Sequence, residues 1–416
     1  MLDLSRLPKP SQRRVAIHVK PAAERSIRAG HPWLYEDSIT RRSHEGKCGD
    51  QAVVYDRKNR FLAIGLYDPY SSIRVRVLAH NQPQPITIEW FKERLIKSIK
   101  ARSSFDIRVT NGYRLVHGEN DEFPGLVLDR YGRNLVLKLY SSIWAPYLAD
   151  LLPLLVELTD AECIVLRLGR KVQGQEGALF GLQDGLQLYG PSLQGPVQFY
   201  ENNVRFEADI VNGHKTGFYL DQRENRAYFE EIVKSDSSFN SLLNVFAYSG
   251  GFSIYGARAG ASQITNVDIS KAALKAARNN FRLNMKHPNI MRAENQYVIG
   301  DAFEVMDRLF QAGRKFDAIV IDPPSFASRK SQVTTALRAY GNLARSGIKL
   351  LREGGLLALF SCSSRVSEDQ FFKRVVSEAV KMGRPLQEIN RTGHPSDHPS
   401  SFEQGAYLKG VFALIP

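Results

Sequence analysis

The sequence predicts an α/β protein: a doubly wound, mostly parallel sheet in the C-terminal half, preceded by a small β-barrel and a small α+β domain. Three observations predict it. From about residue 203 onward, short apolar runs alternate regularly with segments of helical period. The run Phe316–Asp322 is almost continuously apolar, as a strand buried on both faces should be. Residues 12–80, by contrast, hold short strand-like segments separated by turn residues, the texture of a barrel. At 416 residues the chain is too long for one ordinary core, and the expected division is 1–82, 83–202 and 203–416.

In the first segment strands are expected at Arg14–Lys20, Gln51–Tyr55, Phe61–Leu66 and Ile73–Leu78, with a short helix at Arg25–Ala29 leading into Gly30-His31-Pro32-Trp33. Pro83 and Pro85 mark a linker, after which Ile86–Arg102 has apolar residues at helical spacing. The middle segment continues with strands at Tyr113–His117, Leu126–Arg130 and Leu135–Tyr140, a helix near Ala145–Leu158, and strands at Cys163–Leu168 and Val197–Glu201. In the C-terminal half the expected strands are Leu242–Ala247, Gln263–Asp268, Tyr297–Ile299, Phe316–Asp322 and Leu356–Ser361. Helices over Phe252–Ala259, Lys271–Asn284, Phe303–Ala312, Thr334–Leu351 and Glu368–Lys381 follow them in turn, and two strands, Leu386–Arg391 and Tyr407–Leu414, close the segment. Such sheets bind ligands at the carboxyl ends of their strands.

Composition narrows the function classes. A content of 43% hydrophobic and 24% charged residues is that of a globular protein and excludes a disordered one. No apolar run approaches the roughly 20 residues of a membrane span, and the N-terminal stretch lacks the pattern of a signal peptide. Three scattered cysteines, Cys48, Cys163 and Cys362, make neither a disulfide framework nor a metal cluster. A cytoplasmic protein with reduced thiols is expected. Net charge is +13, and an excess of seven cations falls within the first 80 residues. Such a basic region suits a polyanionic partner, although a merely basic surface would read the same.

The chemistry-bearing residues cluster at predicted strand ends. After the first strand of the C-terminal half, Gly250 and Gly251 permit a tight turn and close backbone approach to a ligand. Asp268 ends the second strand, 18 residues past Gly250, where an acidic side chain can accept hydrogen bonds from both ribose hydroxyls of an adenosine. Asp301 follows Gly300 at the end of the third strand, suited to an adenine amino group. Either Asp alone could be a helix N-cap; the recurrence at three consecutive strand ends favours a cofactor site. The fourth strand ends in Asp322-Pro323-Pro324-Ser325, whose prolines fix an extended, rigid backbone. Asp-Pro-Pro at this position is characteristic of methyltransferases acting on a planar nitrogen or carbon of a base. The fifth strand ends in Ser361-Cys362-Ser363-Ser364 followed by Arg365, and the position favours a nucleophile over a small buried hydrophobe. A thiolate that attacks carbon 6 of a pyrimidine makes carbon 5 nucleophilic, and Arg365 is a candidate for lowering the thiol pKa. The polar segment 213–226, with a histidine and several cations, reads as a loop that closes on cofactor or RNA, or else as a solvated helix cap.

These motifs resemble those of the bacterial ribosomal RNA large-subunit methyltransferase I family, which forms 5-methylcytosine in 23S ribosomal RNA. The resemblance spans nearly the whole chain. Its most specific pieces are HKTGFYLDQRENR (214–226), NVFAYSGGFS (244–253), IDPPSFA (321–327), FSCSS (360–364) and the closing DHP…YLKG. GHPWLY (30–35) and AIGLYDPYSSIRVRVL (63–78) look like the RNA-binding PUA barrel found there, and RLVHGENDEFPGLVLDRYG (114–132) matches the family's middle domain. The resemblance implies a Rossmann-like class I methyltransferase domain that uses S-adenosyl-L-methionine. It implies Cys362 as nucleophile, with Gln222, Phe246, Tyr248, Gly250, Asp268 and Asp301 at the cofactor and Asp322 beside the methyl group, where it is the suggested proton-removing base. Many cytosine-5 RNA methyltransferases carry a second cysteine in the Pro-Pro loop; here Ser325 stands in that place. Phe326 and Phe360 are candidates for the wall of a pocket holding a base extracted from its stack, or else core. The implied partner is RNA, either 23S ribosomal RNA or a large-subunit assembly intermediate, with no membrane or metal and with a homodimer as a further expectation. Two readings compete: a methyltransferase of the same architecture acting on a guanine ring nitrogen such as N7, and a non-catalytic RNA-binding assembly factor.

Overall fold

The computed structural model describes residues 7–416; the first six residues of the expected 1–82 domain, and of the stretch read as lacking a signal peptide, lie outside the described residues. The chain forms two compact units. One runs to Tyr200 and also takes Ala208–Tyr219, and the other comprises Glu201–Glu207 and Leu220–Pro416.

The first unit carries two sheets. A six-stranded sheet is built from Val15–Val19, Trp33–Tyr35, Ile39–Arg42, Gln51–Tyr55, Phe61–Tyr67 and Ile73–His80. All its pairs are antiparallel except Val15–Val19 with Gln51–Tyr55. Trp33–Tyr35 and Ile39–Arg42 are not marked by the sequence pattern, because each is only three or four residues long and shows no run of alternating apolar residues. The helix near residue 25 starts earlier than expected, at Pro21, whose fixed φ and missing N–H suit the first helical turn. The five-stranded sheet comprises Gly112–His117, Leu126–Tyr131, Asn134–Leu139, Cys163–Leu168 and Gln187–Tyr189. Against it lie helices Ile88–Lys100 and Leu148–Thr159, and one core of Trp90, Phe91, Phe123 and Trp144 takes in Ile64, Leu66 and Leu78 of the six-stranded sheet. Barrel and α+β segment therefore share a hydrophobic core.

In the second unit the sheet strands are β1 (Ser241–Val245), β2 (Gln263–Asp268), β3 (Glu294–Ile299), β4 (Phe316–Ile321), β5 (Leu351–Ser361), β6 (Gln387–Thr392) and β7 (Lys409–Ile415). Their spatial order is β3-β2-β1-β4-β5-β7-β6. The first five are parallel, and β7 runs antiparallel between β5 and β6. Strand order reverses between β1 and β4, which opens a crevice at their carboxyl ends. The unit's longer helices are α1 (Arg223–Ser235), α2 (Gly251–Ala259), α3 (Lys271–Leu283), α4 (Ala302–Gln311), α5 (Val333–Leu350) and α6 (Glu368–Lys381), with a one-turn helix at Pro288–Arg292 before β3. β1 and β4 are buried at every residue, which explains their apolar spelling. β5 begins five residues earlier than expected and carries Gly354 inside it, at φ +72°, where the pairing with β4 slips.

Helix α1 corrects the reading of 213–226 as one loop. His214–Tyr219 belongs to the first unit, where Thr216 donates to Asp129 (2.7 Å) and Lys138 to the Lys215 carbonyl (2.7 Å). Leu220–Gln222 is a single 3-10 turn, and α1 starts at Arg223. Arg223, Asn225 and Arg226 are buried, which their polarity disguised in the sequence. Burial is tolerable because each has a partner: Asp397, Gln222 and Glu201 respectively.

Candidate active site

The turn after β1 is built from an unusual backbone. Phe246, Tyr248 and Gly250 have φ of +60°, +46° and +78°. Two of the three are not glycine, so the turn stores strain of the kind that gathers at ligand-binding loops. Part of what holds it is Asp268 at the end of β2, whose carboxylate accepts the N–H of Tyr248 (2.9 Å) and of Ser270 (2.8 Å). The Ala247 N–H bonds the Val267 carbonyl (2.9 Å), tying the turn to β2 a second time. Gly250 is required twice, since its φ disfavours a side chain and an added Cβ would stand 3.0 Å from the Ala277 Cβ on α3. Gly250→Ala is therefore expected to cost about 1–2 kcal/mol. The check is the denaturant midpoint, which should fall with an unchanged slope.

Asp301, just past the end of β3, is the N-cap of α4: its Oδ1 accepts from Phe303 (2.9 Å) and Glu304 (3.3 Å), and the residue is exposed at the sheet edge. The N-cap reading thus holds for Asp301, while Ser270 caps α3 in place of Asp268. Gln222 is buried, and its Oε1 accepts from the Asn225 amide (2.6 Å).

The loops after β4 and β5 lie side by side. The Cys362 thiol donates to the Pro323 carbonyl, 3.7 Å away. The Asp322 N–H reaches back to the Val245 carbonyl of β1 (3.3 Å). Ser363 joins the loops: its hydroxyl lies 3.1 Å from Ser325 Oγ and 2.8 Å from the buried Tyr340 hydroxyl, and it accepts the Phe326 N–H (3.2 Å). Ser361 donates to Tyr340 (2.9 Å) from below. Ser363→Ala is expected to cost about 1–3 kcal/mol, because the buried Tyr340 hydroxyl and Phe326 N–H lose their shared partner. Thermal unfolding of the variant checks this.

Some expectations are redirected. Phe360 is fully buried between Phe252 and Phe412 and is core, not pocket wall. Phe326 is half-buried and packs on Tyr340. Arg365 is exposed, and the buried cation at this loop is Lys409, whose Nζ donates to the carbonyls of Ser363 (2.7 Å) and Val366 (2.8 Å). Lys409 lies in the closing YLKG motif, and its sequence signal is a lone lysine opening an apolar strand. A second clasp also escaped it. The buried Asp397 carboxylate takes both terminal nitrogens of Arg223 (2.8 and 3.0 Å), and the Tyr407 hydroxyl donates to Asp221 (2.9 Å). Cys48 and Cys163 lie in the first unit, where burial pushes their thiols up to about 12 and about 11. Among the described residues no helix is long and apolar enough to cross a membrane, and no group of His, Cys, Asp and Glu could hold a metal ion.

Residues 184–412 match the model of the S-adenosylmethionine-dependent methyltransferase family, and residues 17–80 match that of the PUA-like domain. A Deinococcus radiodurans protein named "Ribosomal RNA large subunit methyltransferase" is 42% identical over 97% of this chain and 98% of its own length. The chain belongs to the ribosomal RNA large subunit methyltransferase I family. A member from Pseudoalteromonas translucida bearing that family name is 33% identical over 96% of this chain and 99% of its own. The methyltransferase fold is also that of a Streptococcus mutans chain described as a SAM-dependent methyltransferase, with a TM-score of 0.80 at 20% identity over 96% of this chain and 100% of that one. A further solved chain with a TM-score of 0.80, at 20% identity over 97% of this chain and 100% of its own, is described as complexed with SAH. This methyltransferase therefore has an S-adenosylmethionine-dependent catalytic domain behind a PUA-like one.

Proposed function

We propose that this chain methylates carbon 5 of a cytosine in large-subunit ribosomal RNA, through a transient bond between Cys362 and the base. The observation that carries the reading is Cys362 at the carboxyl end of β5, its thiol against the Asp322-Pro323-Pro324 loop of β4. The relatives' names support ribosomal RNA as substrate class, and the PUA-like domain with its local excess of cations supports RNA binding. The surroundings fit an adenosine group. Each Asp268 oxygen accepts one backbone N–H and keeps acceptor capacity for the ribose hydroxyls, and Asp301 keeps Oδ2 for the adenine amino group. The strained turn of Phe246, Tyr248 and Gly250, held by Asp268, supports this reading, and Gln222 keeps amide N–H groups to donate.

S-adenosylmethionine, when bound, supplies the methyl group as an electrophilic carbon on a sulfonium. The Cys362 thiolate adds to carbon 6, and the electron pair of the carbon 5–carbon 6 double bond moves to carbon 5, which becomes the nucleophile. Once carbon 5 is methylated, a base removes its proton, the double bond re-forms and Cys362 leaves as thiolate. Asp322 is assigned that proton. Because Ser325 stands where a second thiol would be, Cys362 serves alone. The base must leave its stack to reach this edge of the sheet. Incubation with unmodified 23S ribosomal RNA, or with large-subunit particles, and methyl-labelled cofactor tests the reading. Labelled 5-methylcytidine is expected; label on a guanosine instead would overturn it.

A further inference from the structure

We propose that Lys409 is a positioning residue for Cys362: its ammonium holds the loop that carries the thiol and stabilises the thiolate by its charge. The inference rests on the reading of Cys362 as nucleophile. Lys409 opens β7, directly opposite Ser361 in the β5–β7 register, one residue before Cys362. It is buried, in a strand whose other residues are almost all buried and apolar. A buried ammonium is costly unless it is well paired. Here it is met by the carbonyls of Ser363 (2.7 Å) and Val366 (2.8 Å), which lie in the loop that begins at Cys362.

The same Ser363 carries the hydroxyl that ties this loop to the Pro-Pro loop through Ser325 and the Phe326 N–H. Lys409 thus fixes one end of a chain of bonds that sets Cys362 against the Pro323 carbonyl. Burial pulls the Lys409 ammonium down to about 8, while Cys362 and Glu368, the titratable groups acting on it from the loop and from the start of α6, favour its charged form. Below that pH it is a cation, and the attraction between it and Cys362 favours the thiolate in equal measure. A cation beside a reactive cysteine raises the thiolate fraction near neutral pH.

A structural tie alone would be met by any donor, so charge is the separable part of the proposal. Lys409→Gln supplies two N–H donors without the charge, and Lys409→Arg keeps the charge. The experiment is the rate of Cys362 alkylation by iodoacetamide between pH 6 and 7.5, read on the Cys362 peptide by mass spectrometry in the full chain. The Cys48 and Cys163 peptides serve as the internal comparison, since burial keeps those thiols protonated. K409Q is expected to alkylate about tenfold more slowly at pH 7, with its profile moved up by about one pH unit. K409R is expected to follow the wild type. Overlapping profiles for K409Q and wild type would overturn the proposal. So would a folded K409R that is slowed as much as K409Q is expected to be, which keeps the test decisive if K409Q fails to fold. Alkylation needs no methyl transfer, so this outcome is separate from failure of the nucleophile reading, which would show as retained activity in C362A.

Discussion

Replacing Cys362 with Ala is expected to lower methyl transfer to ribosomal RNA at least about a thousandfold while leaving S-adenosylmethionine binding intact. The size follows from the chemistry. Carbon 5 of cytosine is a poor nucleophile, and on the proposed mechanism removing the thiol that bonds to the base removes the route, not one contact along it. On the proposed assignment cofactor binding survives, because the turn after β1, Asp268 and Asp301 lie at the carboxyl ends of β1, β2 and β3, and the bonds that hold them do not involve Cys362. The measurement is methyl incorporation under single-turnover conditions, beside calorimetric titration with the cofactor. Retained incorporation would point to a target that is already nucleophilic, such as a guanine ring nitrogen. Failure of the wild-type protein to bind the cofactor would instead favour a non-catalytic RNA-binding factor.

The second large effect is on stability. Asp397→Ala is expected to destabilise the C-terminal unit by about 3–5 kcal/mol, since it removes the buried carboxylate that takes both terminal nitrogens of Arg223 and leaves only the longer contact to the half-exposed Glu224 (3.4 Å). Burial alone would raise the Asp397 carboxyl, but His398 and Arg223 outweigh it and hold the group well below the usual carboxylate range. A depressed folded-state pKa contributes stability that is fully present above the unfolded value, about 3.9, and is lost as pH falls below it. The wild-type protein should therefore lose this contribution only in acid, and Asp397→Asn should remove that part of the acid dependence. Urea unfolding between pH 3 and 7 measures both variants. An Asp397→Ala midpoint equal to wild type would mean that the clasp contributes nothing net.

Much of the C-terminal sheet was legible because its central strands β1, β4 and β5 are largely apolar and buried and its helices have clear periodicity; Gln263–Asp268 and Glu368–Lys381 fall at the expected bounds. The strand-end residues were legible for the same reason, since a well-marked strand fixes which residue comes at its carboxyl end. Polar burial was not legible. Arg223 and Arg226 look like solvated loop residues until Asp397 and Glu201, 174 residues downstream and 25 upstream, meet them. Phe360 stayed open between pocket wall and core because alternation along a fully buried strand does not say which side faces the ligand edge, and Arg365 was the cation named because it is near Cys362 in sequence. Lys409 is 47 residues away along the chain from Cys362 and becomes its neighbour only through the antiparallel β5–β7 pairing.

The most direct test is nucleoside mapping of large-subunit ribosomal RNA from cells lacking this protein, complemented with wild type or with C362A. One 5-methylcytosine should be missing, restored by the wild type and not by C362A. An unchanged 5-methylcytosine content, or the loss of a methylguanine in its place, would contradict the assignment.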